Sequence, residues 1–481
     1  MTLERAANAG FWAGVDLLAR QLVTFIATVF LARLLTPEQF GIFAFAVLAV
    51  MLLSTLIQNG FSTLIVQRQD LAKEDLDRIF TALLVASALA SIAITAAGPA
   101  LAAFYGFPEL ARLLPIVAIH PFVSALAVVP NALLTKQMRF KPMANIGWMS
   151  AIVSGGAAVY AAFHGAGIWA LALQMVLGAA LSTIGIFFVC KWRPALRFDF
   201  AKLKEQMRFA LPVSVVQSLS IIHTQGFVLI IAKAYPVSDV GLFNRGYGVV
   251  QLSHRMFTGL VSRVALPLMA ERAGDHGALR SGLERGLAGI MILSTPAYVG
   301  LAILSEDLIV TLYGEQWRAA WPILSVLAIA GIINPVHAAN IQILLAKGMS
   351  RTYFSSELLK RFIGIGLMIC GSFFGIIGVA YAYAASVVFS AYISAANAKR
   401  IVSVGLLDQL MALRDIWIAT LAMMGAILAF EWLVPTASFT RLAIVPIIGA
   451  AAYFVTGYLL KSPLFIQLFK AGSQLLSRSQ T

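Results

Sequence analysis

The chain has 481 residues, 60% of them hydrophobic and only 12% charged, with a mean hydropathy of +0.87, and no soluble domain of that size hides so much apolar surface. Its net charge of +14 would suit nucleic acid, but the basic residues sit in short loops between apolar stretches and follow a topology rule instead. Cys190 and Cys370, the two cysteines, are too few for a disulfide framework and read as small apolar side chains.

A helix needs about 20 apolar residues to cross the hydrocarbon core. In chain order, spans are predicted near 9–32, 40–62, 79–98, 110–133, 143–163, 167–190, 209–233, 241–266, 286–304, 320–345, 361–375, 377–396, 414–433 and 441–460, about fourteen in all. Phe40–Ile57 and Ile79–Pro108 contain no Asp, Glu, Lys or Arg. Period-two alternation is missing, so a β-barrel is disfavoured. Lipid obliges each span to satisfy its own backbone, which predicts an all-α membrane protein. The first stretch holds Asp16 and Arg20 and has no small-residue cleavage site, so it reads as a retained span and not a signal peptide.

With the N-terminus placed in the cytoplasm, the inner segments carry about 26 Lys and Arg and the outer ones about five, an asymmetry that puts both termini inside. The loop 191–208 carries Phe200, Leu203 and Met207 opposite Lys202, Lys204 and Arg208. That pattern predicts an amphipathic helix on the inner leaflet.

The chain repeats itself. LARLLTPEQFGIF at 31–43 is echoed by IAKAYPVSDVGLF at 231–243, FYGFPELARLLP at 104–115 by LYGEQWRAAWP at 312–322, and LLTKQMR at 133–139 by LLAKGMSR at 344–351. Such an echo encloses about six spans, so both copies enter the membrane in the same direction. Two six-helix lobes in parallel repeat are predicted, with two further C-terminal helices. The corresponding domains are an N-terminal lobe over 1–195, an amphipathic cytoplasmic linker over 196–208, a C-terminal lobe over 209–400, and the last spans and tail over 401–481. A substrate site is expected between the lobes near mid-membrane.

Polar residues inside apolar spans mark the candidate site. In the eighth span Asn244, Gly248, Gln251, Arg255, Thr258 and Ser262 follow steps of three and four, which puts them on one helix face. A face holding Asn, Gln and Arg should look into a wet cavity. Arg245 and His254 lie off that stripe. The first span places Asp16, Arg20, Thr24 and Thr28 four apart. Asp16 and Arg20 either neutralise each other within the helix, or Arg20 contacts substrate while Asp16 exchanges a proton. Gln58, His337 and Asn340 complete the candidate cavity set. Arg20, Arg245, Arg255 and Arg263 outnumber Asp16, and an excess of guanidinium groups favours an anionic, phosphate-like ligand. No two His residues have metal-site spacing, and no metal or cofactor is expected. No Walker-type loop, Ser/His/Asp order or paired carboxylates stand out, so the chain does not read as an enzyme.

The stretch FWAGVDLLARQLVTFIATVFLARLLTPEQFGIFAF at 11–45, then LIQNGFSTLIVQR at 56–68 and LYGEQW at 312–317, resembles the Wzx-like oligosaccharide flippases of the multidrug/oligosaccharidyl-lipid/polysaccharide exporter superfamily. The resemblance covers nearly the whole chain. It implies two lobes working by alternating access in a bacterial inner membrane. The implied cargo is an undecaprenyl-pyrophosphate-linked oligosaccharide for O-antigen, capsule or exopolysaccharide, with H+ or Na+ coupling and the polysaccharide polymerase machinery as partner. A lipid II flippase and a cation-coupled drug exporter are the alternatives within the superfamily. A membrane glycosyltransferase is the alternative outside it, disfavoured because no loop is long enough to fold as a catalytic domain.

Overall fold

The computed structural model describes residues 20–68, 70–271, 276–434 and 438–466. Among them every regular element is a helix. Nine helices are long and apolar enough to cross a membrane, or up to eleven if each of two bent pairs is one span. That criterion does not fix the expected count of about fourteen. It takes Arg351–Val402 as one span, whereas the chain turns between Ser350–Gly371 and Gly375–Val402 through a short 3-10 turn at Ser372–Phe374. The polar helix Val237–Glu271 is not among the nine. Asp16 lies outside the described residues, as do the side chains of Thr258, Ser262 and Arg263.

The chain divides into two compact units, Met1–Asn244 and Arg245–Thr481. The division falls inside helix Val237–Glu271 and not at the 196–208 linker. That linker also differs in form from its expectation. Residues 191–199 are non-helical, and a single helix then runs from Phe200 to Gln225, so the amphipathic stretch is the opening of the seventh span. Asp199 caps it, accepting from the backbone N–H of Ala201 and Lys202 at 3.1 and 3.2 Å. The non-helical segment is strapped to helix Lys73–Tyr105: Ala195 N–H donates to Asp77 at 3.2 Å and Arg197 N–H to Thr81 at 3.0 Å. These backbone donors find acceptors that a free surface helix would not need.

Small residues set the helix contacts, as lipid-embedded packing demands. In the first unit, Thr36 closes a capping box with Gln39 ahead of helix Pro37–Ser54. A Cβ on Gly41 would strike the carbonyl of Val237, and one on Gly241 the carbonyl of Pro37. The contact is reciprocal between residues that the repeat makes equivalent, which is why both copies keep glycine. The Tyr-Gly echo also has a structural meaning, since Gly106 and Gly314 each end a helix at positive φ, 78° and 100°. The third echo shares one cap. Met138 and Arg139 N–H donate to Thr135 and Leu134 carbonyls, and Gly348 and Met349 N–H to Leu345 and Leu344. Both are Schellman closures. They align Met138 with Gly348, one residue away from the register that the sequence echo suggests.

Candidate functional site

The first unit encloses a cavity of about 720 Å³ whose lining includes Arg20, Gln58, Asn59, His120, Asn131 and Gln174. Its position follows from two irregularities. Helix Pro37–Ser54 passes through a π turn at Thr55–Asn59 before resuming at Gly60. The wider turn carries Gln58 and Asn59 away from the regular helical register, as π turns at functional positions commonly do. Pro108–Val117 and Ile119–Lys136 meet at Ala118, just ahead of His120.

Polar groups around this cavity are partly satisfied by neighbours. Gln58, only 7% exposed, donates to the Pro121 carbonyl at 2.8 Å and to Ser124 at 3.1 Å. Asn59 donates to Gln217 at 2.8 Å, and Ser214 accepts from Gly60 N–H at 2.9 Å. These bonds anchor the π turn to the seventh span. Arg20 is exposed, on a helix over 20–34, and reaches across to Gly147. A side chain at 147 would run into its guanidinium. The glycine is therefore what lets a long cation lie along the cavity wall. Ser150, Ser154, Ser182 and Thr183 from Phe140–Phe163 and Ile168–Val189 line part of the remainder, beside apolar Phe43, Val47, Met51, Leu171 and Met175. The walls thus present hydroxyls, amides and one guanidinium, groups that bond sugar hydroxyls and phosphate oxygens.

The other expected residues divide differently. Arg255 and Gly248 are exposed and Asn244 and Gln251 half-buried, and a Cβ at Gly248 would meet open space. This is one face of helix Val237–Glu271, as the spacing predicts, and Gln251 donates to Tyr247 beneath it. Arg245 lies beside Tyr313. His254 lies close to Arg255 and within electrostatic reach of His337. Asn340 does not line open space. It is fully buried at 0% exposure, and its amide exchanges bonds of 2.8 and 3.0 Å with Gln409 while donating to the Val336 carbonyl at 2.8 Å. It is a closed amide pair tying Asn334–Ala346 to the short helix Leu406–Met411. His337 meets Ser394 Oγ at 2.8 Å.

Sequence reasoning left out Asn131 and Gln174 in the first unit and a whole charged group in the second. Glu357 and Lys360 fall with Arg361 inside helix Ser350–Gly371, not in a loop ahead of a span starting at 361. Lys360 is 3% exposed and pairs with Glu357. Their i, i+3 and i+4 spacing was the available signal. Among the described residues no group of three or more His, Cys, Asp or Glu could hold a metal ion.

Residues 30–322 match the model of a family described as polysaccharide biosynthesis protein. The chain belongs to that family. It is 25% identical over 379 residues to the teichuronic acid biosynthesis protein TuaB of Bacillus subtilis, covering 78% of each chain. It is 24% identical over 388 residues to the lipopolysaccharide biosynthesis protein WzxC of Escherichia coli, covering 78% of this chain and 77% of that one. Among solved structures, lipid II flippase MurJ in an inward closed conformation superposes with a TM-score of 0.75 at 17% identity, over 93% of this chain and 98% of that one. At that identity the likeness shows the fold alone. The chain is a multi-pass membrane protein with the helical fold of these transporters.

Proposed function

We propose that the protein is a flippase that carries a polyprenyl-pyrophosphate-linked oligosaccharide repeat unit from the inner to the outer leaflet of a bacterial inner membrane. It does so by alternating access, with both termini in the cytoplasm. The observation that carries this reading is the cavity of about 720 Å³ among the membrane helices of the first unit, with Arg20 on its wall. A glycan head is too polar to cross hydrocarbon unaided. Hydroxyl and amide groups replace the water that its sugars lose, while the prenyl tail stays in lipid. Arg20 grips the diphosphate in a bidentate way that a lysine does not match, and the exposed Arg255 of the second unit offers a guanidinium to the same class of ligand. The names of TuaB and WzxC, both polysaccharide biosynthesis proteins, support this class of cargo. Polymerase machinery on the outer side takes over the delivered unit.

Deleting the gene tests the reading. Lipid-linked repeat units should accumulate on the inner leaflet, identifiable by mass spectrometry, and surface glycan should fall. Undiminished surface glycan with no stranded intermediate would sink it. Rescue of cells depleted of their peptidoglycan-precursor flippase would move the assignment to that cargo instead.

A further inference from the structure

Lys360 sits about 15 Å along its helix from Ser350, and His337 about 14 Å from the end of its own helix at Ala346. Three helices meet there. Lys360 from Ser350–Gly371 pairs with Glu357 on the same helix. Its ammonium also donates to Ser394 Oγ of Gly375–Val402 at 3.1 Å, and Ser394 Oγ lies 2.8 Å from Nδ1 of His337 on Asn334–Ala346. None of these side chains lines the cavity of the first unit.

The donor inventory fixes the first link of the chain. An ammonium only donates, so Ser394 Oγ accepts from Lys360, and in the tautomer of His337 that leaves Nδ1 unprotonated the Ser394 hydrogen points to Nδ1. His337 then carries its ring hydrogen on Nε2, and the ring also hydrogen-bonds the backbone of Ser390. The result is an unbroken donor–acceptor line from an ammonium to a neutral imidazole. The described groups facing it are Tyr353 and Arg361 on the helix of Lys360, and His254 on Val237–Glu271. Arg361, 3.6 Å from Glu357, is permanently charged and does not give up a proton. The proton that can move is therefore the one shared between Lys360 and His337.

We propose that Lys360, Ser394 and His337, with Glu357 as counter-ion, form a proton-coupling site in the second unit. The proposal rests on the transporter reading above. One proton leaves Lys360 Nζ for Ser394 Oγ as the Ser394 hydrogen passes to His337 Nδ1. Ammonium and neutral imidazole become amine and imidazolium; the imidazolium then gives its proton to water on one side of the membrane and the amine takes one from water on the other, so one proton crosses per cycle. A purely structural ion pair needs only Glu357 and Lys360, which lie on one helix and hold no two helices together. A bound sodium ion is disfavoured, because the Lys360 ammonium already fills the place between the carboxylate and the serine hydroxyl.

The test uses the purified full chain in vesicles of phosphatidylethanolamine and phosphatidylglycerol. The probe is a fluorescent short-chain polyprenyl-diphosphate N-acetylglucosamine, followed by its protection from dithionite. A gradient of about one pH unit should shift the wild-type distribution about tenfold, the factor that one unit of proton potential supplies. Ser394→Ala should keep the flipping rate seen without a gradient and lose that response. Lys360→Arg, which cannot release a proton, should lose it too. A second readout needs no flipping: tryptophan fluorescence of the wild type should change with pH, and His337→Gln and Ser394→Ala should flatten that change. Retention of both responses in properly folded Ser394→Ala overturns the proposal. Wild-type flipping indifferent to the gradient overturns it and leaves the flippase reading standing. A fluorescence titration abolished by Ser394→Ala in a protein that never flips the probe supports the proton site and sinks the flippase reading instead.

Discussion

The first unit leaves polar side chains around empty volume, and the second, apart from the open face of Gly248 and Arg255, closes its own on one another. Arg20, Asn131 and Gln174 face a cavity of about 720 Å³. Asn340 with Gln409, and His337 with Ser394 and Lys360, are joined by direct bonds of 2.8 to 3.1 Å. Gly41 and Gly241 meet within the first unit, and the same cap recurs at Met138 and at Gly348. A repeated scaffold therefore sets where helices run, while a few side chains decide whether a polar face is open or sealed. Open polar groups are a site for something brought from outside. Sealed ones either lock the fold or, where a titratable chain runs through them, store a proton.

Breaking the open side should have the largest effect. Arg20→Ala should lower flipping of a diphosphate-linked probe about 10- to 100-fold, as expected for losing a charge-assisted contact worth about 1.5–3 kcal/mol, with little change in melting temperature. Arg20→Lys should recover only part of it. Equal loss with an uncharged lipid-linked sugar would show that Arg20 shapes the cavity without reading phosphate. The sealed side should respond in the opposite sense. Asn340→Leu strands Gln409 without its amide partner and should destabilise the protein by about 1–3 kcal/mol, read as a lower melting temperature in detergent. The flipping rate per folded molecule should hold. In the double variant with Gln409→Leu part of the stability should return. A full transport defect in a normally stable Asn340→Leu would move this residue back into the substrate path.

Gly147 sharpens the same contrast at smaller scale. Gly147→Ala places a methyl group where the Arg20 guanidinium lies. The arginine end is flexible and can swing aside at a cost of about 1 kcal/mol, a change of about fivefold. Flipping should fall by that factor and melting should stay unaltered. Combined with Arg20→Ala it should add nothing, because the group it displaces is gone.

How much of this was legible before any coordinates follows from range. Helical class and the repeat are written in local composition and in echoes such as the Tyr-Gly pairs. Arg20 and Gln58 stood out because charge and amide are costly in lipid wherever they point. Asn340 stood out for the same reason, yet its partner Gln409 lies 69 residues away, and nothing local says that the two meet. Ser150 and Ser154 gave no signal, since a serine in a span is inexpensive. Lys360 was hidden by a boundary. Starting the span at 361 put Glu357 and Lys360 in water, where a salt bridge means little.

The smallest effect tests the repeat itself. Met138 sits at φ 56° and Gly348 at φ 68°, in the same position of the same closure. The left-handed conformation crowds a Cβ against the following carbonyl at a cost of about 1–2 kcal/mol, which glycine avoids. Met138→Gly should therefore raise stability. The gain is trimmed by the greater freedom that glycine has in the unfolded chain and by loss of what the half-exposed Met138 side chain, 44% accessible, contributes. A net change of about +0.5 kcal/mol is expected. Gly348→Ala should lose about 1 kcal/mol at the equivalent place. Opposite signs at Met138 and Gly348 would establish that the two caps are one structural position. Equal signs would mean that the hydrogen-bond match between the repeats is coincidental, and that the sequence register, one residue different, is the true alignment.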